Sequence, residues 1–194
     1  MGDTLADVYL KIQGVTGECS DVGHPGKDGW IEICSFSFGF AFESGSASKS
    51  APAAAPKPAK GGAGGKGAAA RGDDSNAPNK HITFSKKPNQ CSTQLAQMCY
   101  DGTEVDTVTF EACRYGAASL QNAKIPFLNL VFKKVTFKKS SMQISNEGMP
   151  TESLEFAYDT VTMTTIWTDN ATGDRMPGGQ CQVGWDFVNN KPAT

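Results

Sequence analysis

The stretch Asp7–Phe42, DVYLKIQGVTGECSDVGHPGKDGWIEICSFSFGFAF, decides the fold. Val8, Leu10 and Ile12 alternate with polar neighbours and predict a short strand that ends at Gly14 and Gly17. A polar loop through His24-Pro25-Gly26 follows. Then Trp30, Glu32, Cys34, Phe36, Phe38, Phe40 and Phe42 share one face of a second strand, backed by Ser35, Ser37, Gly39 and Ala41. Side chains in a strand alternate with period two, so these two segments read as a half-buried pair of strands with a strongly aromatic inner face.

Further elements follow. Ile82–Lys86 is a short strand. From about Gln90 to Asp101, the residues Cys91, Leu95, Met98 and Cys99 fall on one helical face, with Pro88-Asn89 as a start and Gly102 as a left-handed stop. Val105–Arg114 alternates Val108, Phe110 and Ala112 against Thr107, Thr109 and Glu111. In the long strand from Pro126 to about Lys139 the apolar set Leu128, Leu130, Phe132 gives way to Val135, Phe137, a change of phase at Lys133-Lys134. The segment Glu152–Trp167 does the same, from Leu154, Phe156, Tyr158 to Val161, Met163, Trp167. A one-residue slip turns every later side chain to the other face unless the strand bends, as strands of a small curved barrel do. Cys181–Val188 closes the set with Val183, Trp185 and Phe187 expected inward.

The colinear order of these segments resembles the Hcp family, the tube proteins of bacterial type VI secretion systems. Lys11-Ile12, Gly14-Val15 and Gly17-Glu18-Cys19 match its opening pattern, followed by a His-bearing loop and a long strand rich in Trp, Ser and Gly. His81–Lys86, the Lys- and Phe-rich Phe127–Met142, the Glu152–Trp167 segment and the closing Val183-Gly184-Trp185-Asp186 match later family strands. The resemblance implies a mainly β fold, a small antiparallel β-barrel with one helix at its side. It also implies six subunits per ring, rings stacked into a hollow tube, a sheath and a spike as partners, and small effector proteins in the lumen.

Residues 1–194 are expected to form one domain, interrupted at about 44–79 by an Ala/Gly/Pro/Lys segment without a large apolar side chain. Such a segment buries too little surface to offset its ordering entropy and is expected to be a flexible loop. About 155 residues remain for a core. Lys49, Lys57, Lys60, Lys66 and Arg71 make the loop basic, and the resemblance implies that it reaches between stacked rings.

Composition excludes several classes of function. The net charge of −2 and a pI of about 5.7 give no basic excess for nucleic acid. The first residues carry neither a basic nor an apolar region of a secretory signal, and no apolar run approaches the ~18 residues of a membrane span. Synthesis in the cytoplasm and export without a cleavable signal are expected. Six cysteines (Cys19, Cys34, Cys91, Cys99, Cys113, Cys181) then read as thiols. Cys34, Cys91, Cys99 and Cys113 are expected on apolar faces, and Cys19 in an exposed turn.

Motif matches are weak. Gly62–Gly67 fits G-x-G-x-x-G but follows no strand and opens no helix, and a Walker reading lacks its first Gly and its Ser/Thr. Arg71-Gly72-Asp73 spells an adhesion tripeptide, so a secreted binding module is the rival reading; a phage-like tail tube is a second. Asn170-Ala171-Thr172 is a sequon without consequence in a cytosolic chain. His24 beside Cys19 and Asp21 admits a sketch of a metal site or a Cys/His pair, but a turn is the simpler home, and His81 is expected at the surface. Carboxylates are scattered singly. No catalytic residue, cofactor or metal is expected.

Overall fold

A computed structural model describes residues 6–39, 81–115, 124–146, 148–169 and 171–193. The low-complexity segment, with Lys49, Lys57, Lys60, Lys66, Arg71 and the Arg71-Gly72-Asp73 tripeptide, lies outside the described residues, as do Phe40 and Phe42. Ten strands run in chain order: β1 (Asp7–Ile12), β2 (Trp30–Glu32), β3 (Ser35–Ser37), β4 (His81–Lys86), β5 (Glu104–Tyr115), β6 (Lys124–Gln143), β7 (Thr151–Ala157), β8 (Thr160–Thr168), β9 (Arg175–Asp186) and β10 (Lys191–Pro192). Among the described residues one helix, α1 (Ser92–Asp101), sits between β4 and β5, and a 3-10 turn spans Gly26–Asp28.

Every pairing is antiparallel. β6 is the backbone of the sheet: β5 lines one edge, and β7 followed by β8 lines the other. From β5 the pairing passes to β1 and β2; from β7 it passes to β4 and β3. β2 and β3 are two halves of one bent segment. At the bend the Ile33 N–H donates to Val8 and the Cys34 N–H donates to Ser85, so adjacent residues bond to β1 and to β4. β2 and β3 do not pair with each other, so the ladder is not closed; the bend in the chain joins its two ends, and the core fills the space the sheet curves around. Leu10, Ile31, Ile82, Phe84, Leu130, Phe132, Phe137 and Phe156 are all fully or almost fully buried there.

The changes of phase expected in two segments are present, and a third lies beside them. In β6 the buried residues pass from Leu130 and Phe132 to Val135 and Phe137, in β5 from Val105 to Val108, and across the β7–β8 break from Tyr158 to Val161. Register aligns the three: Val105 faces Val135, Thr107 faces Lys133, and Lys133 faces Thr160. The sheet therefore bends along one line crossing three strands. Lys134 absorbs the change in β6 by adopting the left-handed region (φ 55°), which a lysine adopts only at a cost. Its ammonium bonds Asp106 at 2.9 Å and Glu104 at 3.0 Å. Backbone bonds from Asp159 to Lys133 and from Phe187 to Asp159 tie the bend to the end of β9.

Three expectations need correction. The segment from Trp30 to Phe38 is not one aromatic-faced strand. Ile31 and Ile33 are buried, the bend follows, and Phe36 and Phe38 then pack against the core. The bend turns Cys34 outward, so it is exposed rather than a core thiol, and Phe36 stacks on Phe110 with centroids 3.9 Å apart. Cys19 is half-buried and less exposed than Cys34 and Cys181, because its backbone is bonded into the loop over β1 and β2. The third concerns Val183 and Trp185, taken up below.

α1 keeps the face read from sequence: Cys91 and Leu95 are buried, and Met98 and Cys99 pack beside them. Gly102 (φ 63°) closes it in the left-handed form. Its first turn is held by a buried pair. Lys86 and Glu152 face each other across β4 and β7, 2.8 Å apart and almost wholly shielded from solvent. The Lys86 ammonium also donates to Asn89 Oδ1 and Ser92 Oγ, both at 2.8 Å, and Ser92 Oγ donates to Glu152 Oε2 at 2.7 Å. Asn89 and Ser92 belong to the start of α1, so the pair fastens the helix to the barrel.

Candidate functional site

Strand β6 carries β8, β9 and the two-residue β10 away from the barrel as a wing. Thr165, Met163 and Val161 in β8 face Cys181, Val183 and Trp185 in β9. Paired residues lie on the same face, so Val183 and Trp185 do occupy the core side of the sheet, as sequence predicts. The wing runs past the core, however, and leaves that face uncovered: Val183 is 59% exposed, Trp167 53% and Trp185 37%. Trp167 lies over Gly179, where a Cβ would come within 2.7 Å of the Trp167 Cβ. A large side chain there is held in place yet still open to solvent.

The edge of β9 is open as well. Beyond the β10 pairing at Trp185 and Asp186 and the Ala193–Gly184 bond, no described strand covers its outer edge from Arg175 to Val183. Unpaired backbone groups beside exposed Trp and Val are the features that pair with another chain.

A second cluster lies on the outer face of β1 and β5, under the loop 13–29. In this row Tyr9 pairs with Glu111 across β1–β5, and Glu111 with Asn129 across β5–β6. The His24 ring stacks on Tyr9 with centroids 4.0 Å apart and meets the Trp30 edge at 4.6 Å. Its Nδ1 lies 3.0 Å from Asp21 Oδ1 and its Nε2 2.9 Å from Glu111 Oε2, and the buried Cys113 Sγ lies 3.8 Å from Nε2. Lys124 completes the group, with Asp21 at 2.8 Å, Asp7 at 3.0 Å and a bond to the Tyr9 hydroxyl. His24 lies in a turn beside Asp21, as the sequence predicts. The thiol on the ring is Cys113, from 89 residues away, and spacing in the chain gives no sign of it.

Burial alone would lower the His24 pKa; the Cys113 thiol and the carboxylates of Glu111 and Asp21 outweigh it and raise it to about 10. Asp21 is likewise held at about 2: burial would raise it, and Lys124 and His24 overcome that. A folded-state pKa above the unfolded value of about 6.5 contributes stability that is fully present below that value and lost as pH rises through the folded pKa. The difference in unfolding midpoint between the unaltered chain and His24→Gln is therefore expected to be constant from about pH 4 to 6 and to shrink steadily up to pH 10. A difference that grows with pH would contradict the ion-paired assignment. His81 is half-exposed and bonded to Glu155 at the surface, as expected.

Residues 9–165 match the family described as "Type VI secretion system effector, Hcp". The chain belongs to the Hcp family. Solved structures agree at the level of the fold. A type six secretion system protein aligns with a TM-score of 0.72 and 23% identity, over 97% of this chain and all of that one. Hcp1 from Salmonella typhimurium gives 0.65 and 18%, over 97% and 99%. Hcp3 from Pseudomonas aeruginosa gives 0.54 and 12%, over 95% and 98%. No curated protein matches. The chain is thus an Hcp tube component of a type VI secretion system, in a family of structural and secreted proteins. No described helix is long and apolar enough to cross a membrane.

Proposed function

We propose that six copies of this chain close into a ring and that rings stack into the hollow tube of a contractile type VI machine. A sheath surrounds the tube and a spike tips it; small effector proteins travel in its lumen. The protein leaves the cytoplasm with the tube. It acts as a scaffold and not as an enzyme. The observation that carries this reading is the uncovered wing, where Val183, Trp185 and Trp167 stand beside the open edge of β9. A contact between unlike surfaces of neighbours closes into a ring when the rotation between them permits.

Light scattering tests it. The unaltered chain should have six times the 20.5 kDa mass of one chain, and Val183→Asp should have the mass of one while keeping its unfolding transition. Val183 is exposed in the single chain, so the substitution should change monomer stability by no more than about 0.5 kcal/mol. A ring that persists in Val183→Asp would remove the wing from the interface.

The segment bearing Lys49, Lys57, Lys60, Lys66 and Arg71 is assigned to the contact between rings. Deleting residues 46–77 and rejoining the ends should leave rings intact and abolish tubes. Tube length in the unaltered protein should fall as salt is raised, because salt screens charge-mediated contacts beyond about 10 Å at 0.1 M. Full-length tubes from the deletion variant would refute this assignment.

A further inference from the structure

Around His24 the arrangement differs from an ordinary buried ion pair in one respect: three unlike donor atoms converge from two elements. Glu111 and Cys113 are two apart on β5 and share its outer face. Asn129 Nδ2 donates to Glu111 Oε1 at 2.7 Å, which leaves Oε2 directed at the ring. Cys113 is fully buried, and its sulfur lies 3.8 Å from His24 Nε2, within the reach of a sulfur hydrogen bond. His24 Nε2, Glu111 Oε2 and Cys113 Sγ all lie within 4.8 Å of one another.

We propose that His24, Glu111 and Cys113 form a binding site for a borderline-soft divalent cation of the Zn2+ class. Metal–ligand bonds of about 2.0–2.3 Å place tetrahedral ligand atoms roughly 3.3–3.6 Å apart. The nitrogen–oxygen separation of 2.9 Å lies below that range, the nitrogen–sulfur separation of 3.8 Å above it, and all three atoms fall within 4.8 Å, so the side chains must shift slightly to close on an ion. The group that orients the imidazole is in place too. Asp21 on Nδ1 orients the ring so that Nε2 faces the site, in the carboxylate–histidine pattern that accompanies metal-bound imidazoles. Nitrogen, sulfur and oxygen donors together select a zinc-like ion over magnesium or calcium. Binding replaces the Nε2 proton and the thiol proton with a dication, so two protons leave and the charge of the cluster is unchanged. A water takes the fourth position. The ion would join the loop 13–29 to the barrel wall by coordination in place of an ion pair.

Cobalt is the probe, titrated into the reduced, metal-stripped full chain. One equivalent per chain is expected to bind with a thiolate-to-cobalt charge-transfer absorption, and Zn2+ should abolish that absorption. Cys113→Ala and His24→Gln should each lose it, while the triple variant Cys19→Ser, Cys34→Ser, Cys181→Ser should keep it. Asp21→Asn should weaken binding about 10–100-fold. No charge-transfer absorption in the unaltered chain at saturating cobalt would overturn the proposal, whether or not the variants fold. An absorption that survives in Cys113→Ala or His24→Gln, or disappears in the triple variant, would overturn it equally by assigning the metal to other thiols.

Discussion

Replacing Glu152 with Gln is expected to destabilise the chain by about 3–5 kcal/mol, the usual cost of leaving one member of a buried ion pair without its partner. Lys86 has no solvent to turn to: its side chain is fully enclosed, and its other partners, Asn89 Oδ1, Ser92 Oγ and the Lys87 carbonyl, are neutral. Ser92 Oγ also loses the carboxylate it donates to. Because these groups open α1, the loss should appear first as helix detachment, with amide exchange rising over Ser92–Asp101. The double variant Lys86→Met, Glu152→Leu should recover a large part of the loss, since apolar pairs of similar volume often replace buried ion pairs at little cost. Urea unfolding at one fixed protein concentration is the measurement, because assembly contributes to the apparent stability of ring proteins. A cost below about 1 kcal/mol for Glu152→Gln would show that the pair is solvated.

Phe132→Ala should cost about as much, roughly 3–5 kcal/mol, through a different cause. Phe132 is fully buried beside the bend line, with Tyr158 at 4.9 Å, Phe156 at 5.4 Å and Phe36 at 6.3 Å between ring centroids. These partners come from β7, the β7–β8 break and β3, strands fixed in place by separate ladders. They cannot move together to fill the space, so the full cavity remains. Tyr100→Ala is the control: Tyr100 is 84% exposed on α1, and its loss should stay within about 0.5 kcal/mol. Equal effects from the two would mean that the ring cluster is not the core.

The strands were legible because each carries its own alternation, and the bend was legible in β6 and at the β7–β8 break because the apolar set visibly changes phase there. The same bend in β5 was not, since the run from Val108 to Ala112 alternates cleanly and Val105 stands apart as a single residue. At the β2–β3 corner the core-facing set also slips, from Ile31 and Ile33 to Phe36 and Phe38, but the even-numbered run from Trp30 to Phe38 masks the slip in the sequence. The switch of hydrogen bonding from β1 to β4 at Ile33 and Cys34 places the turn. The faces of Val183 and Trp185 were correct, but whether anything covers them depends on how far the wing extends past the core. His24, Glu111 and Cys113 meet only after β1 and β5 pair and the loop folds over them. Lys86 and Glu152 meet only through the β4–β7 register.

Whether this Hcp chain builds rings is tested most directly by electron microscopy of the purified protein. Class averages should show six-fold rings around an open centre, with the wings at the contacts between neighbours. A field of uniform particles the size of one chain, at concentrations in the tens of micromolar, would contradict it.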